Sequence, residues 1–383
     1  MANICMIAYS DYNQDARIKS YIRILVKNGY HVDLLALKDG NNRNVEEGQG
    51  YRIKRLSKKY RGSSALAYIF SYLKFTLLSS ICLNWLDILN RYSAIHVHNM
   101  PNFLVFTALI QKLLGKKVIL DNHDLMIPLY KSKFEESGRT FLLDLLKMEQ
   151  KWSASFASHM ICADHLQKEY LQKEFGIDAK KITVILNLPH EDIFKFIPVE
   201  KDSAHFNVIY HGTIAKRLGI DLMIEAVKEI RGRIPIKLHI YGVGDFLKEV
   251  VALRDRYRLQ EEVFIAERVV PIEELSMIIC GMDAGLIANR NTESTANFMF
   301  PVKLLEYLYL GVPVIAPRLE IIKHYFDENM LLYYESENVK ELAEKIVELY
   351  RDLSLRDRIQ ERSYEFFKKH TLVGKTGDYL GIL

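Results

Sequence analysis

The chain has 383 residues, too many for one ordinary hydrophobic core and enough for two domains of nearly equal size. Its composition is that of a globular protein, and the four cysteines, Cys5, Cys82, Cys162 and Cys280, have no CxxC or CxxH spacing. That argues against a disulfide framework and a structural zinc site, and for a reducing, cytoplasmic setting.

The net charge of +4 is unevenly spread: residues 1–200 hold 27 Lys and Arg against 20 Asp and Glu, and the remainder holds 25 against 28. The first half is therefore the half expected to meet anionic lipid at the inner face of a membrane. Nucleic acid is not expected as a partner, because no helix-turn-helix, zinc-finger or RNA-recognition signature accompanies the charge. No signal peptide is expected either, since the first eight residues run straight into a strand without a charged leader.

Ala2 to Ala8 reads as a hydrophobic strand, Asp15 to Asn28 as an amphipathic helix stopped by Gly29, and HVDLLAL as the next strand. The first loop of this βαβ opening, SDYNQDAR, has no glycine, so the GxGxxG fingerprint is missing and no NAD or FAD is expected. Asp15 admits two readings, a charge cap on the helix or part of a site. Arg52, Lys54, Arg55, Lys58, Lys59 and Arg61 make a basic run among tyrosines. The apolar helix after it, Ala65 to Leu89, is interrupted by Ser71, Lys74, Ser79, Ser80 and Asn84, which argues against a transmembrane span. This helix reads as packed on the sheet, and the basic run as the candidate for membrane contact.

Two more strands, AIHVH and KKVILDNHD, end in polar clusters, His98 with Asn99 and Asp121 with His123 and Asp124. Ligands of open parallel sheets lie outside the carboxyl ends of strands, so the clusters read as a site, with structural polar groups as the alternative. Phe103 to Gly115 reads as a helix, residues 129–150 as a lid and amphipathic helix, and Glu191 to His205 as the linker. The second half restarts with FNVIYHGT, a strand ending at His211 and Gly212, followed by Lys216 and Arg217. A glycine there lets backbone approach a ligand, with positive charge beside it. Lys237 to Tyr241 is the next strand, and Gly242 to Gly244 makes a tight turn.

The sharpest motif is NFMFPVKLLEYLYLGVPVIAP, Asn297 to Pro317. Pro301 opens a helix, Gly311 closes it, and Pro313 with VIA returns as a buried strand. Lys303 and Glu306, three residues apart, share a face near the helix start, where amides and macrodipole favour an anion. They are either an ordinary solvated pair or a grip on a ligand carrying phosphate and sugar hydroxyls. No DxD, GxxxxGK[ST] or GxSxG string occurs, against a metal-clamped diphosphate, P-loop phosphoryl transfer and an α/β-hydrolase.

The string PxKxxEYxxxGxPVIA resembles the donor-binding segment of the retaining family 4 glycosyltransferases. The resemblance implies an α/β GT-B fold, two Rossmann-like doubly wound domains facing across a cleft. Residues 1–195 would bind the acceptor, residues 204–365 the nucleotide sugar, and residues 366–383 would cross back as a helix. It implies that Glu306 grips the ribose, that Arg217, Lys216 and Lys303 meet the leaving diphosphate, and that Gly212 and Gly242 bring backbone close to the nucleotide. His123 would contact the donor sugar. Asp15 to Arg17 resembles the acidic-basic start of the same helix in the family, and Glu149 a family glutamate or a surface charge. Phe298 stands where the family often has a second glutamate.

The implied activity is metal-independent transfer of a hexose from a nucleotide-diphosphate sugar to a lipid-linked or growing glycan, with retention, in surface polysaccharide synthesis. No cofactor beyond the donor substrate is implied. The alternatives are a sugar-nucleotide epimerase and a non-catalytic partner subunit.

Overall fold

A computed structural model describes residues 2–38, 43–60, 62, 64–134, 140–189, 194–370 and 372–383. They form two compact units, Met1–Asn187 with Val373–Leu383, and Leu188–Leu372. The boundaries thus fall at Asn187 and Leu372, where the sequence reading has 195–204 and 365. Residues 190–193 of the expected linker and 135–139 of the expected lid lie outside the described residues.

The first unit runs β1 (Asn3–Ala8), α1 (Ala16–Lys27), β2 (His31–Lys38), β3 (Val45–Gly48), β4 (Tyr51–Lys58), α2 (Ala65–Asn90), β5 (Ala94–His98) and α3 (Leu109–Leu113). It continues with β6 (Lys117–Asn122), α4 (Met126–Phe134), α5 (Thr140–Phe156), β7 (His159–Cys162), α6 (His165–Phe175) and β8 (Ile182–Val184). The sheet order is β3-β4-β2-β1-β5-β6-β7-β8, parallel except for the β3–β4 pair. β1, β2 and β5 are buried almost throughout, as parallel strands covered on both faces must be.

Local sequence accounts for the elements that position the site. Asp15 caps α1 by accepting the Ile18 amide at 3.0 Å, and Gly29, at φ +80°, lets the chain leave the helix. The basic run folds as β4: Arg52 pairs with Asp33 at 2.7 Å and Arg55 with Glu46 at 2.7 Å, so part of its charge is spent inside the sheet. The helix expected over Phe103 to Gly115 is divided, a 3-10 stretch over Asn102–Ala108 followed by α3. There the Phe103 amide is taken by Glu149 at 2.6 Å, so a side chain from α5 holds the entry turn. Glu149 is thereby neither an exposed charge nor a free one.

The second unit runs β9 (Phe206–His211), α7 (Ile220–Ile230), β10 (Ile236–Tyr241), α8 (Leu247–Arg256), β11 (Val263–Ile265), α9 (Ile272–Cys280), β12 (Ala284–Leu286), α10 (Glu293–Asn297) and α11 (Val302–Tyr309). After it come β13 (Val314–Pro317), α12 (Glu320–Lys323), β14 (Leu332–Tyr334), α13 (Val339–Arg351) and α14 (Leu353–Lys369). The order β11-β10-β9-β12-β13-β14 is all parallel and follows the doubly wound 3-2-1-4-5-6 pattern, whose switch point lies between β9 and β12. α15 (Leu372–Gly381) closes the chain, and its residues from Val373 belong to the first unit.

Candidate active site

In the second unit the switch point gathers the charged residues. His211 ends β9, and its Nε2 lies 2.7 Å from Oε2 of Glu306, while its Nδ1 lies 2.9 Å from the Tyr307 hydroxyl. The His211 amide also donates to that hydroxyl, at 3.1 Å. Glu306 is buried, and its Oε1 takes no hydrogen bond among the described residues. Fixed on one oxygen and free on the other, the carboxylate is pre-set to accept hydroxyl protons from a ligand.

Lys303 stands in the first turn of α11, whose N-cap, Pro301, offers no side-chain hydrogen bond to the exposed amides. Its Nζ contacts the Tyr210 hydroxyl at 3.4 Å and lies 4.5 Å from the centre of that ring. Burial pushes the Lys303 ammonium down to about 8, Glu306 opposes the fall and Arg217 adds to it. Arg217, in the 3-10 turn Lys216–Leu218, has its Nε buried without a hydrogen-bond partner. Two neighbouring cations, one with a buried unpaired donor, beside a helix N-terminus have the chemistry of an anion site. Lys216 is exposed, and its carbonyl accepts from Arg290 at 3.1 Å.

The glycines hold the loops together. The Gly212 amide donates to the Tyr241 carbonyl at 2.9 Å, and the Ile214 amide to the Val243 carbonyl at 3.0 Å. A Cβ on Gly242 would sit 1.9 Å from the Gly212 carbonyl oxygen, and one on Gly212, at φ +111°, would press on Lys303 Cε at 3.4 Å. Gly242 therefore requires glycine for loop packing, and Gly212 favours it through its positive φ. A cavity of about 480 Å³ lined by His205, Arg231, Pro235, Lys237 and Glu262 opens at the opposite, amino-terminal edge of β9 and β10. It contains none of these groups.

In the first unit the β5 and β6 clusters meet around Asp121. Its carboxylate is gripped by Arg17, Nε to Oδ2 at 2.7 Å and Nη2 to Oδ1 at 2.8 Å. His98 Nδ1 lies 3.1 Å from Oδ2, and His123 Nδ1 lies 3.9 Å from it. His123 is the part-exposed member, its side chain 22% accessible. Asn99 donates to the Asn122 side chain at 2.6 Å and to the Asp124 carbonyl at 2.6 Å, which fixes the loop carrying His123. His96, His98 and Asp121 bring three potential metal-ligand atoms within 4.8 Å of one another. The Arg17 guanidinium, bound to both carboxylate oxygens, opposes a second cation there.

Two family profiles match the two halves in turn. A profile described as Glycosyltransferase Family 4 matches residues 16–188, and one described as Glycosyl transferases group 1 matches residues 205–352. The chain belongs to the GT-B group 1 glycosyltransferases. It is 22% identical over 272 residues to a Candida albicans chitobiosyldiphosphodolichol beta-mannosyltransferase, covering 65% of this chain and 58% of the relative. It is 21% identical to a phosphatidylinositol N-acetylglucosaminyltransferase subunit of Arabidopsis thaliana, over 64% of this chain and 52% of the relative. The match thus spans less than two thirds of those relatives. Among solved structures, Thermosynechococcus elongatus sucrose-phosphate synthase superposes with a TM-score of 0.78 at 17% identity, over 98% of this chain and 96% of that one. Anabaena HepE in complex with UDP-glucose gives 0.75 at 14% identity, over the whole of both chains. At such identities the structures attest the GT-B fold alone.

Within this glycosyltransferase fold, His211, Tyr210 and Tyr307 are partners of the expected site residues that the sequence reading did not single out. A histidine closing a strand just before a glycine is the one signal that marks His211.

Proposed function

We propose that the protein transfers a hexose from a nucleotide-diphosphate donor to a hydroxyl of a lipid-linked or growing glycan, with retention at the anomeric carbon. What carries this reading is the cationic pair Lys303 and Arg217 beside the His211–Glu306 pair, inside the segment matched by the group 1 family. As the bond from sugar to diphosphate breaks, negative charge builds on the leaving group. Arg217, Lys303, Lys216 and the free amides of α11 then stabilise it, so that no metal ion is required. Glu306, held through Oε2 by His211, accepts from the ribose hydroxyls through Oε1. His123 orients the donor sugar. The acceptor hydroxyl attacks on the face the diphosphate leaves, and its proton passes to the departing phosphate.

The names of the Candida and Arabidopsis relatives specify acceptors on dolichol and on phosphatidylinositol, which favours a lipid-borne acceptor here and work at a membrane surface, as in surface polysaccharide synthesis. The Candida name also specifies a β-linked product, and product NMR reads the anomeric configuration formed here.

The test is a thermal-shift and consumption screen of purified protein against UDP, GDP, ADP and their sugars, followed by product NMR. Glu306→Ala and Arg217→Ala are expected to lower turnover by roughly 100-fold, the loss of a charged hydrogen bond at the donor. Protein that neither binds nor consumes any nucleotide sugar refutes the reading. Binding without turnover supports the non-catalytic partner instead.

A further inference from the structure

α2 is apolar on its exposed face as well as on its buried one. Ten of its described positions are exposed, and nine of those carry large apolar side chains, Lys74 being the exception. Leu66, Phe70, Leu73, Leu77, Ile81 and Trp85 follow one another at spacings of three or four and so form one stripe. On a water-facing helix that stripe would be polar. By length and composition alone, residues 66–90 are apolar enough to cross a membrane. Phe75, Ser79, Leu83 and Leu86 are nevertheless buried on the body of the unit, which keeps the helix on its surface.

The stripe has neighbours of the same kind. Gln111 of α3 donates to Asn84 at 2.9 Å and to Asp87 at 3.2 Å, tying α3 against α2, and Leu109, Ile110 and Leu113 of α3 are exposed. Glu149 ties α5 to the stretch before α3, and α5 exposes Phe141, Leu145, Met148 and Trp152 at helical spacing. The chain has two tryptophans, and both stand in these stripes, each 58% exposed. Scattered exposed apolar residues are ordinary, but three adjoining stripes are not.

Charge indicates what covers them. Residues 51–117 hold eleven Lys and Arg and one acidic residue, Asp87; Arg52, Arg55 and Lys116 pair with Asp33, Glu46 and Asp87, so the positive surround rests on the other eight. Lys54 lies 5.3 Å from the centre of the Trp85 ring, so a cation flanks the aromatic edge of the stripe. An apolar face with tryptophan and a basic surround matches acyl chains beneath anionic headgroups. At about 1.5 Å per residue, the 26 residues of α2 lay roughly 39 Å of stripe along such a surface.

We propose that α2, α3 and α5 form a monotopic docking face that lies in the interface of a bilayer containing anionic phospholipid. The face is the apolar surface of these helices, and the basic run in β4 plays the supporting part. Membrane work was already part of the proposed function, but docking requires no turnover, so vesicle binding and sugar transfer fail independently.

The experiment is flotation of the full chain with vesicles of phosphatidylcholine alone and of phosphatidylcholine with phosphatidylglycerol. It is read together with emission from Trp85 and Trp152 and its quenching by brominated lipid. The expected result is binding to the anionic vesicles, a blue shift, quenching, and weakening by salt. The double variant Leu73→Glu with Ile81→Glu, both exposed, should melt as the parent does and lose at least about tenfold in vesicle affinity. Absence of binding overturns the proposal, as does binding that leaves the tryptophans unquenched or survives the double variant. A soluble dimer that the same variant dissociates, with no vesicle binding, assigns the face to a second copy and also overturns it.

Discussion

Arg17 and Asp121 stand 104 residues apart in sequence and meet in a two-pronged ion pair sealed from solvent, with side chains 6% and 0% accessible. The pair ties the second residue of α1 to the end of β6, directly beneath the His98 and His123 cluster. Burial alone would raise the Asp121 carboxyl, but Arg17 and His98 outweigh it and hold the group well below the usual carboxylate range. Replacing Asp121 with Asn leaves a buried guanidinium without its charge partner, and the expected loss is about 3–5 kcal/mol in chemical denaturation at neutral pH. Because the folded-state value is depressed, this stability is present above the unfolded carboxyl value and drains away as pH falls below about 4. The parent should therefore lose stability in acid that Asp121→Asn has already lost. An Asn variant within about 1 kcal/mol of the parent at pH 7 would count against the assignment.

Much of this was legible in the chain and some was not, for a physical reason. Strands buried on both faces advertise themselves as apolar runs, and the KLLE helix announces itself through Pro301 and Gly311, so the two sheets and α11 follow from local pattern. Contacts across long separations leave no such trace. His211 with Glu306 spans 95 residues and His96 with Tyr379 spans 283, and neither has a period or spacing to betray it. That α2 packs on the sheet follows from its apolar pattern, but which apolar residues face outward does not, because apolar content alone does not tell the packed side of a helix from the outward one.

Lys303 gives a pH test of the anion site. Burial brings its ammonium down to about 8 in the free protein, and a bound diphosphate would raise it again. Since the ligand favours the charged form, affinity for a cognate nucleoside diphosphate should be level below pH 8 and fall above it. Calorimetry in buffers of different ionisation enthalpy should register proton uptake near pH 8, absent in Lys303→Met. Affinity that is flat from pH 6 to 9 in the parent would mean that Lys303 does not meet the ligand's charge.

Gly242→Ala tests the loops. The new Cβ would arrive 1.9 Å from the Gly212 carbonyl oxygen, backbone against backbone, with no flexible side chain to yield. The loops after β9 and β10 must then part, breaking the Gly212–Tyr241 bond of 2.9 Å and moving Gly212 relative to Lys303. A stability loss of about 2 kcal/mol or more is expected, with nucleotide affinity lowered further than stability alone explains. Gly232→Ala, where the Cβ would meet nothing within 4 Å, controls for backbone strain at positive φ without crowding.

The C-terminal helix sets the last expectation. Tyr379 is fully buried in the first unit with its hydroxyl 2.7 Å from His96 Nδ1, and Lys375 donates to the Ser20 hydroxyl at 3.1 Å. Burial, helped by Arg17, pushes the Lys375 ammonium down to about 7. A base depressed on folding contributes stability that is complete above its unfolded value near 10 and is lost as pH falls toward 7. Glu149 and Asp164 act in the opposite sense: burial raises each carboxyl to about 7, so their contribution is complete below about pH 4 and is lost as pH rises through 7. Together these groups place a minimum in stability near neutral pH. Lys375→Met should raise stability at pH 7 by about 2 kcal/mol and flatten the limb between pH 7 and 10. Tyr379→Phe should cost about 1 kcal/mol with the limb intact, because it removes a hydrogen bond and no titrating group. Denaturant titrations of the three proteins across that range decide it, and a limb that survives in Lys375→Met would show that the buried ammonium is not its source.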